Sequence, residues 1–326
     1  MKRAMQLALV AMLATQALVI GQSDVAKILA DARAALGGDA KLNAVTSMAI
    51  EGTSTRPAPD GTSRESAFEM AFALPDRYAK RDVVANINGM EIARVSGFNG
   101  ADLIERTETP PQMGGGAFVM RGPGSGGPGA ELTPEQQAAA RRDALLGSRR
   151  EFTRLTLGMF AASLPVYPVE FTWAGQAESP DGKADMIDVT STDGFTARLF
   201  VDSASHLPLM LSWMDKEPLQ MQMTAGPGGG MRTGDGRTLR MVGPGGASPE
   251  EIKKMQDEMA ARMKEAEARR RTVEYRLFYA DYKSFDGVKV PTRVQRMIDG
   301  NPVEELSLSK IKVNGRIDPK TFEVSK

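Results

Sequence analysis

The part of the sequence most informative about the fold is Phe68–Thr107, FEMAFALPDRYAKRDVVANINGMEIARVSGFNGADLIERT. Every second residue of Phe68–Leu74 is apolar, a pattern that indicates a strand with one buried face. Asn88-Gly89 and Asn99-Gly100 separate the apolar runs that follow. Asn-Gly between such runs is a strong hairpin signal, because both central positions of the turn favour positive φ. The stretch therefore predicts consecutive antiparallel strands.

Strand patterns return after a central break and dominate the rest of the chain. Ten to twelve strands joined by short turns favour an antiparallel sheet, and so wide a sheet is expected to curl. The fold class we predict is mainly β (α+β), either a curled antiparallel sheet or an unclosed β-barrel with helices covering its concave face. The further predicted strands are Val169–Trp173, Met186–Thr190, Phe195–Val201, Leu207–Trp213, Val273–Tyr282, Val288–Ile298 and Val303–Val313.

Helical patterns lie at the start of the chain and beside two Gly-rich stretches. Ser23–Leu36 has an apolar stripe at helical spacing and is followed by two glycines. A capped helix from Thr133 and a second helix over Glu151–Ala162 follow the first Gly-rich stretch, and a helix from Ser248 to about residue 271 follows the second. We predict one domain over residues 22–326, with inserts at about 110–148 and 218–271.

The N-terminus has the pattern of an export signal. Lys2 and Arg3 precede an uncharged apolar run over Leu7–Ile20, and small residues precede a cleavage site before Gln22. Residues 1–21 are predicted to be a signal peptide, which implies a periplasmic or secreted protein. The alternative is an uncleaved N-terminal anchor, although the run is shorter than the roughly 20 residues of a membrane span.

Composition excludes several classes of function. Loss of Lys2 and Arg3 with the signal peptide leaves a net charge of −2, so we expect no binding to nucleic acid. The absence of cysteine excludes thiol catalysis and thiolate metal sites, and there is one histidine. Asp202, Ser205 and His206 are the residue types of a hydrolase triad, but their closeness in sequence favours a polar turn. We therefore predict that the protein is not an enzyme and that it has no catalytic residue, no cofactor and no metal.

Methionine and aromatic residues supply the candidate binding surface. Methionines at helical spacing form one stripe on the helix of the second insert, and flexible methionine surfaces accept varied apolar partners. Alternating large residues on two strands, together with the end of the Glu151–Ala162 helix, extend this surface. The alternative is that these side chains are ordinary core. The predicted ligand-binding residues are Met159, Phe160, Phe171, Trp173, Leu209, Leu211, Trp213, Met255, Met259 and Met263.

Several further turn and strand patterns lie along the chain, at Ala34–Gly38, Phe200–Asp202, His206–Leu209, Asp281–Val288, Pro291, Ile311–Asn314 and Ile317–Phe322. Together they resemble the outer-membrane lipoprotein-sorting superfamily of LolA/LolB-like proteins. The resemblance implies an unclosed antiparallel barrel whose helices form a lid over an apolar cavity for acyl chains. The two inserts depart from this pattern, and no functional residue of the family can be carried over.

The sequence leaves two functions open. The first is a periplasmic carrier or sensor that binds an apolar ligand, a lipid or the acyl chains of a lipoprotein, in a half-barrel cavity. The alternative is an envelope protein-interaction module without a ligand cavity, whose partner is another envelope protein. Arg269–Arg271 would allow peripheral contact with anionic lipid in either case.

Overall fold

The computed structural model describes residues 24–58, 60–87, 89–109, 133–180, 182–218, 224–225, 230–232, 238–240, 261 and 265–324. The chain divides into two compact units. The first comprises Met1–Phe118, Arg142–Met214 and Glu274–Lys326, and the second comprises Val119–Arg141 and Asp215–Val273. The predicted signal peptide lies outside the described residues, and the single domain with two inserts stays a prediction.

Most of the described residues lie in strands. Twelve of them form one antiparallel sheet in the order β5-β4-β3-β2-β1-β15-β14-β13-β9-β8-β7-β6, and three form a separate small sheet, β10-β11-β12. They are β1 Ser47–Pro57, β2 Ser63–Ala73, β3 Arg77–Ile87, β4 Met90–Asn99, β5 Asp102–Glu108, β6 Glu170–Ser179, β7 Gly182–Thr190, β8 Thr196–Asp202, β9 Pro208–Lys216, β10 Thr224–Ala225, β11 Gly230–Arg232, β12 Thr238–Arg240, β13 Thr272–Phe285, β14 Val288–Ile298 and β15 Asn301–Val313.

The large sheet is unclosed, with β5 and β6 as its two edges, so the predicted fold class is confirmed. Its central strand, β1, was not predicted, and it joins the N-terminal hairpins to the C-terminal strand β15. The apolar alternation of β1 stops at Gly52 and Ser54, which hides it from pattern analysis. A Cβ at Gly52 would overlap the carbonyl oxygen of Ser307 and the ring of Phe68, so only glycine fits there.

The described helices include α1 over residues 24–36, α2 over Asp39–Asn43, α3 over Pro134–Phe160 and a 3-10 helix over Pro319–Phe322, and residues 265–269 are also helical. Val25, Ala32 and Leu36 on the predicted stripe of α1 are buried. The prediction of two separate helices around Gly147 and Ser148 is wrong, since α3 runs through both residues. The buried second half of α3 makes tertiary contacts, which outweigh the roughly 1 kcal/mol by which glycine is less favourable than alanine within a helix.

Helix α3 shows that the large sheet is curled. The Phe152 ring lies 5.6 Å from the ring of Phe98 in β4, and the Arg154 guanidinium carbon lies 4.3 Å from the ring of Trp213 in β9. In a flat sheet β4 and β9 would be about 34 Å apart, at about 4.8 Å for each of seven strand spacings. Two residues of one helical turn reach both strands only because the sheet wraps around α3. The face toward α3 is called the inner face below, and the opposite face the outer face.

Backbone carbonyls of α3 are held from three directions. Tyr279 donates its hydroxyl to the carbonyl of Arg154, and Tyr282 donates its hydroxyl to the carbonyl of Gly158 at 2.8 Å. Arg33 of α1 donates to the carbonyl of Phe160 at 3.0 Å. The last four carbonyls of an α-helix have no intrahelical partners, and these donors satisfy two of them, those of Gly158 and Phe160. The second half of α3 is thereby fixed against β13 and α1.

Replacement of either of two glycines of α3 by alanine is expected to change the free energy of unfolding, in opposite directions at the two positions. A Cβ at Gly158 would overlap the ring of Tyr279, whereas a Cβ at Gly147 would meet nothing within 4 Å. Gly147→Ala is expected to raise the free energy of unfolding by about 1 kcal/mol through helix propensity. Gly158→Ala is expected to lower it by about 2 kcal/mol, because the tethered ring cannot move away. Urea unfolding followed by circular dichroism measures both, and a stabilised Gly158→Ala variant would contradict this packing.

Candidate functional site

The inner face of β6–β9 is an apolar wall built by strand register. Trp173 of β6 pairs with Ile187 of β7, Ile187 pairs with Leu199 of β8, and Leu199 pairs with Leu211 of β9. Directly paired residues of antiparallel strands project from the same face of the sheet, so these four side chains form one row. The structure thus brings together Trp173 and Leu211, which the sequence analysis selected on separate strands.

A second row lies beside the first and contains the other predicted aromatics of these strands. Phe171 pairs with Val189, and both are on the inner face. Trp213 follows Leu211 on that face and stacks on Tyr275 of β13, with ring centroids 5.3 Å apart. Leu211 and Trp213 are buried, whereas Phe171 and Trp173 are only partly buried. Strand β6 has a neighbour on one side alone, which leaves these two rings accessible at the edge of the interior.

Met159 and Phe160 lie at the end of α3 and are both buried. The Phe160 ring is 6.1 Å from that of Phe72 in β2, in an edge-to-face arrangement. Phe160 therefore packs in the β2 half of the interior rather than against Phe171 and Trp173. Its role in ligand binding stays a prediction.

The predicted common face of Leu209, Leu211 and Trp213 is wrong for Leu209. Phe200 pairs with Met210 and Val201 pairs with Pro208, so Leu209 is the extra residue of a β-bulge. Its side chain is 39% exposed and lines a cavity with residues of the outer face of β8 and β13. The remaining predicted ligand-binding residues, Met255, Met259 and Met263, lie outside the described residues.

A group of charged side chains occupies the inner face near the first buried turn of α3. Arg296 of β14 pairs with Glu151 of α3, and its Nε lies 3.8 Å from Oε2 of Glu304 in β15. Glu304 Oε1 accepts from Ser54 Oγ at 3.0 Å and from Arg56 Nε at 3.1 Å. The ionic cluster (Arg56, Glu151, Arg296 and Glu304) therefore joins α3 to three strands in the middle of the sheet.

The carboxylates of the ionic cluster are ionised at neutral pH. Burial alone would raise the pKa of the Glu304 carboxyl, but surrounding cations lower it to about 2; they are Lys80, Arg56 and Arg296. Burial likewise opposes ionisation of Glu151, and Arg296 nevertheless lowers the pKa of that carboxyl. Glu151 in turn raises the pKa of the Arg296 guanidinium. The cluster is held by mutual charge compensation, with Arg296 and Glu304 mostly covered and Arg56 and Glu151 partly open to solvent.

The ionic cluster was not predicted, although the sequence contains a signal for it. Val290, Val294 and Arg296 are an even number of residues apart in β14, so their side chains lie on the same, buried face of the strand. A cation on a buried face requires a buried counter-ion. The counter-ions come from α3 and β15, which are remote in sequence. Adjacent Glu304 and Glu305 do point to opposite faces, as strand geometry requires, and only Glu304 belongs to the cluster.

Asp202, Ser205 and His206, the residue types of a hydrolase triad, lie in one turn. Asp202 Oδ1 accepts the backbone N–H of Ser205 at 2.6 Å, so this carboxylate closes the turn that also contains His206. The described residues contain no group of three side chains able to hold a metal ion. No described helix has both the length and the apolar character needed to cross a membrane.

The described geometry defines a class of protein, an unclosed antiparallel sheet curled around a helix with a partly open apolar wall. No family model matches the chain, and no curated protein matches it in sequence. Similar solved structures include a LolA superfamily protein from Nitrosomonas europaea, at 12% identity and a TM-score of 0.42, over 92% of this chain and 97% of the other. A DUF1329 family protein from Desulfovibrio piger matches over 92% and 97%, at 11% identity and a TM-score of 0.41.

A third similar structure is an outer membrane lipoprotein-sorting protein domain from Vibrio parahaemolyticus, at 12% identity and a TM-score of 0.35, over 85% of this chain and 88% of the other. Likeness at this level of identity and TM-score assigns neither a ligand nor an activity to the chain.

Proposed function

We propose that the protein is a periplasmic carrier or sensor of an apolar ligand, a lipid or the acyl chain of a lipid-modified protein. The ligand would lie along the inner face of β6–β9, with the predicted signal peptide directing export. The observation that carries the proposal is the partial burial of Phe171 and Trp173 on an otherwise buried apolar wall. Apolar surface left accessible at the edge of an interior favours an apolar ligand.

The proposed ligand is apolar because of what surrounds these two rings. Their partners across the sheet are Val189 and Ile187, both fully buried, and the inner row continues through Leu199. Each methylene that moves from water to such a wall contributes about 0.8 kcal/mol, so the roughly 8 kcal/mol of micromolar binding requires a chain of about ten methylenes or more. The ionic cluster lies toward the other half of the sheet and is already charge-compensated, so it is not needed for binding.

The first test of the proposal is the native mass of the mature chain purified from a periplasm, followed by extraction and lipid analysis. The proposal expects a stoichiometric adduct that carries an acyl chain. A mass equal to that of the bare polypeptide, unchanged after incubation with lipid, would refute the carrier function.

Variants of the accessible rings test where the ligand binds. The double variant Phe171→Ala/Trp173→Ala is expected to weaken binding of a fluorescent fatty-acid probe about tenfold or more, because two aromatic contacts are lost. Leu209→Ala is the matched control, since it removes a similarly exposed apolar side chain from the bulge outside the inner face. Probe titration measures both, and equal losses in the two variants would place the ligand elsewhere.

A second candidate function, an envelope protein-interaction module, is favoured by the close filling of the β2–β4 half. The Phe152 ring lies 5.4 Å from Phe72, 4.9 Å from Tyr78 and 5.6 Å from Phe98, so α3 itself occupies that part of the interior. If the native mass is that of the bare polypeptide, co-purification from an envelope extract after crosslinking is the experiment that tests this candidate. Absence of any crosslinked envelope protein would then refute it.

A further inference from the structure

A cavity of about 360 Å³ lies on the outer face of the sheet, between β1–β5 and residues 316–321 of the C-terminal segment. Its floor includes Ala49, Ala71 and Ala79, which pair across β1, β2 and β3. Phe72 and Tyr78, beside these alanines in sequence, face α3 on the inner side. The cavity is therefore separate from the interior, and its volume falls within the range of small-ligand sites.

The C-terminal segment that walls the cavity is anchored at its end. Phe322 is buried in a cluster with Val95 and Ile104 and with alanines of the cavity floor. The Arg77 guanidinium carbon lies 5.4 Å from the centre of the Phe322 ring, and Asn99 Nδ2 donates to the Phe322 carbonyl at 3.2 Å. The segment is thus held at a fixed distance from the sheet, and the space beneath it is a formed cleft.

Most of the carboxylates around the cavity already have cationic partners. Arg81 pairs with Glu108 at 2.8 Å and with Glu69 at 3.4 Å. Lys310 pairs with Glu51 at 2.5 Å. These contacts account for three of the four carboxylates that line the cavity, and the fourth caps the 3-10 helix by accepting a backbone N–H.

Three further cations line the same cavity, and among the described residues they have no ion-pair partner: Lys312, Arg316 and Lys320. Lys312 pairs across strands with Ala49, at one end of the alanine floor. Arg316 and Lys320 belong to the anchored segment above that floor. The cavity therefore combines an apolar floor with an excess of positive charge at its rim.

We propose that this cavity binds a small amphiphilic anion, with a phosphate or carboxylate head at Lys312, Arg316 and Lys320 and a short alkyl or aryl group on the alanine floor. Uncompensated cations favour an anion, and charge-assisted hydrogen bonds to such a head are stronger than neutral ones. The C-terminal segment projects over the floor and prevents a flat bilayer surface from reaching it. A small molecule is therefore the occupant, and the site is independent of the interior ligand proposed above.

Calorimetric titration at fixed ionic strength tests the site, with octyl phosphate and inorganic phosphate as separate probes. Octyl phosphate is expected to bind more tightly than inorganic phosphate. The triple variant Lys312→Gln/Arg316→Gln/Lys320→Gln is expected to weaken octyl phosphate binding about tenfold or more. Ala49→Leu fills the floor and is expected to reduce the affinity for octyl phosphate to that for inorganic phosphate.

The matched control is Arg64→Gln/Lys283→Gln/Lys289→Gln, which removes three exposed cations that do not line the cavity. It is expected to bind octyl phosphate as the unmodified chain does, and so is Phe171→Ala/Trp173→Ala, which alters only the interior wall. Absence of octyl phosphate binding, or equal weakening in the two triple variants, would overturn the proposal. Co-sedimentation with phosphatidylcholine–phosphatidylglycerol vesicles, without octyl phosphate binding, would overturn it in favour of a membrane surface.

Discussion

Replacement of Glu304 by Gln is expected to lower the free energy of unfolding by about 3 kcal/mol at pH 7, because it removes one of the negative charges that compensate the partly buried cations Lys80 and Arg296. Glu304 contacts Arg56 and lies 3.8 Å from Arg296, and its side chain is only 11% exposed. Urea unfolding followed by circular dichroism measures the change. Glu305→Gln is the matched control, since it alters the neighbouring carboxylate on the outer face and is expected to change stability by less than about 0.5 kcal/mol.

The same carboxylate gives the unmodified protein a defined dependence on pH. Its pKa is lowered from 4.5 to about 2 in the folded chain, so the folded state favours the ionised form. The associated stability is present above about pH 4.5 and is lost as the pH falls from there toward 2. In Glu304→Gln this loss should be missing, so the two stability curves converge at low pH. Parallel curves over pH 5 to 3 would show that Glu304 is not the responsible group.

Replacement of Phe152 by Ala is expected to lower the free energy of unfolding by about 4 kcal/mol, among the largest effects of any single truncation in the interior. The ring is buried between Phe72, Tyr78 and Phe98, and it fixes α3 to three neighbouring strands. Its loss leaves a cavity that the curled sheet cannot collapse to fill.

Phe200→Ala, the same truncation on the outer face, is the control for Phe152→Ala and is expected to cost about 1 kcal/mol, because that ring is only partly buried. Thermal and urea unfolding compare the two variants. Similar losses for both would contradict the assignment of the interior to α3. If Phe152→Ala also strengthens fatty-acid probe binding, the space vacated by the ring has become accessible from the wall of Phe171 and Trp173.

The hairpin half of the fold was predictable because its information is local. In the sequence, Asn88-Gly89 and Asn99-Gly100 mark the turns, and alternation within each strand predicts which side chains turn inward. Strand β1 was not predicted, because its alternation is interrupted at Gly52. The glycine is required by the close approach of Ser307 and Phe68, which belong to other strands. That α3 is one continuous helix was not predicted for a related reason. Gly147 is unfavourable in a helix, and packing far along the helix compensates for it.

The candidate site likewise contains residues whose face of the sheet the sequence predicted correctly and one whose face it did not. Phe171, Trp173, Leu211 and Trp213 were selected from alternation alone, and the register of β6–β9 brings them onto one wall. Leu209 was assigned to that wall wrongly, because a β-bulge shifts the alternation by one residue and no local signal marks it.

The sequence by itself determined an antiparallel sheet, its turns and the apolar face of each strand, because these depend on residues within a few positions of one another. Only the tertiary structure decided that the sheet curls around α3, that Glu151, Arg296 and Glu304 meet inside it, and that Lys312, Arg316 and Lys320 share an outer cavity. Those arrangements join residues separated by up to 248 positions in the ionic cluster, and they arise from strand order and charge compensation in the folded chain.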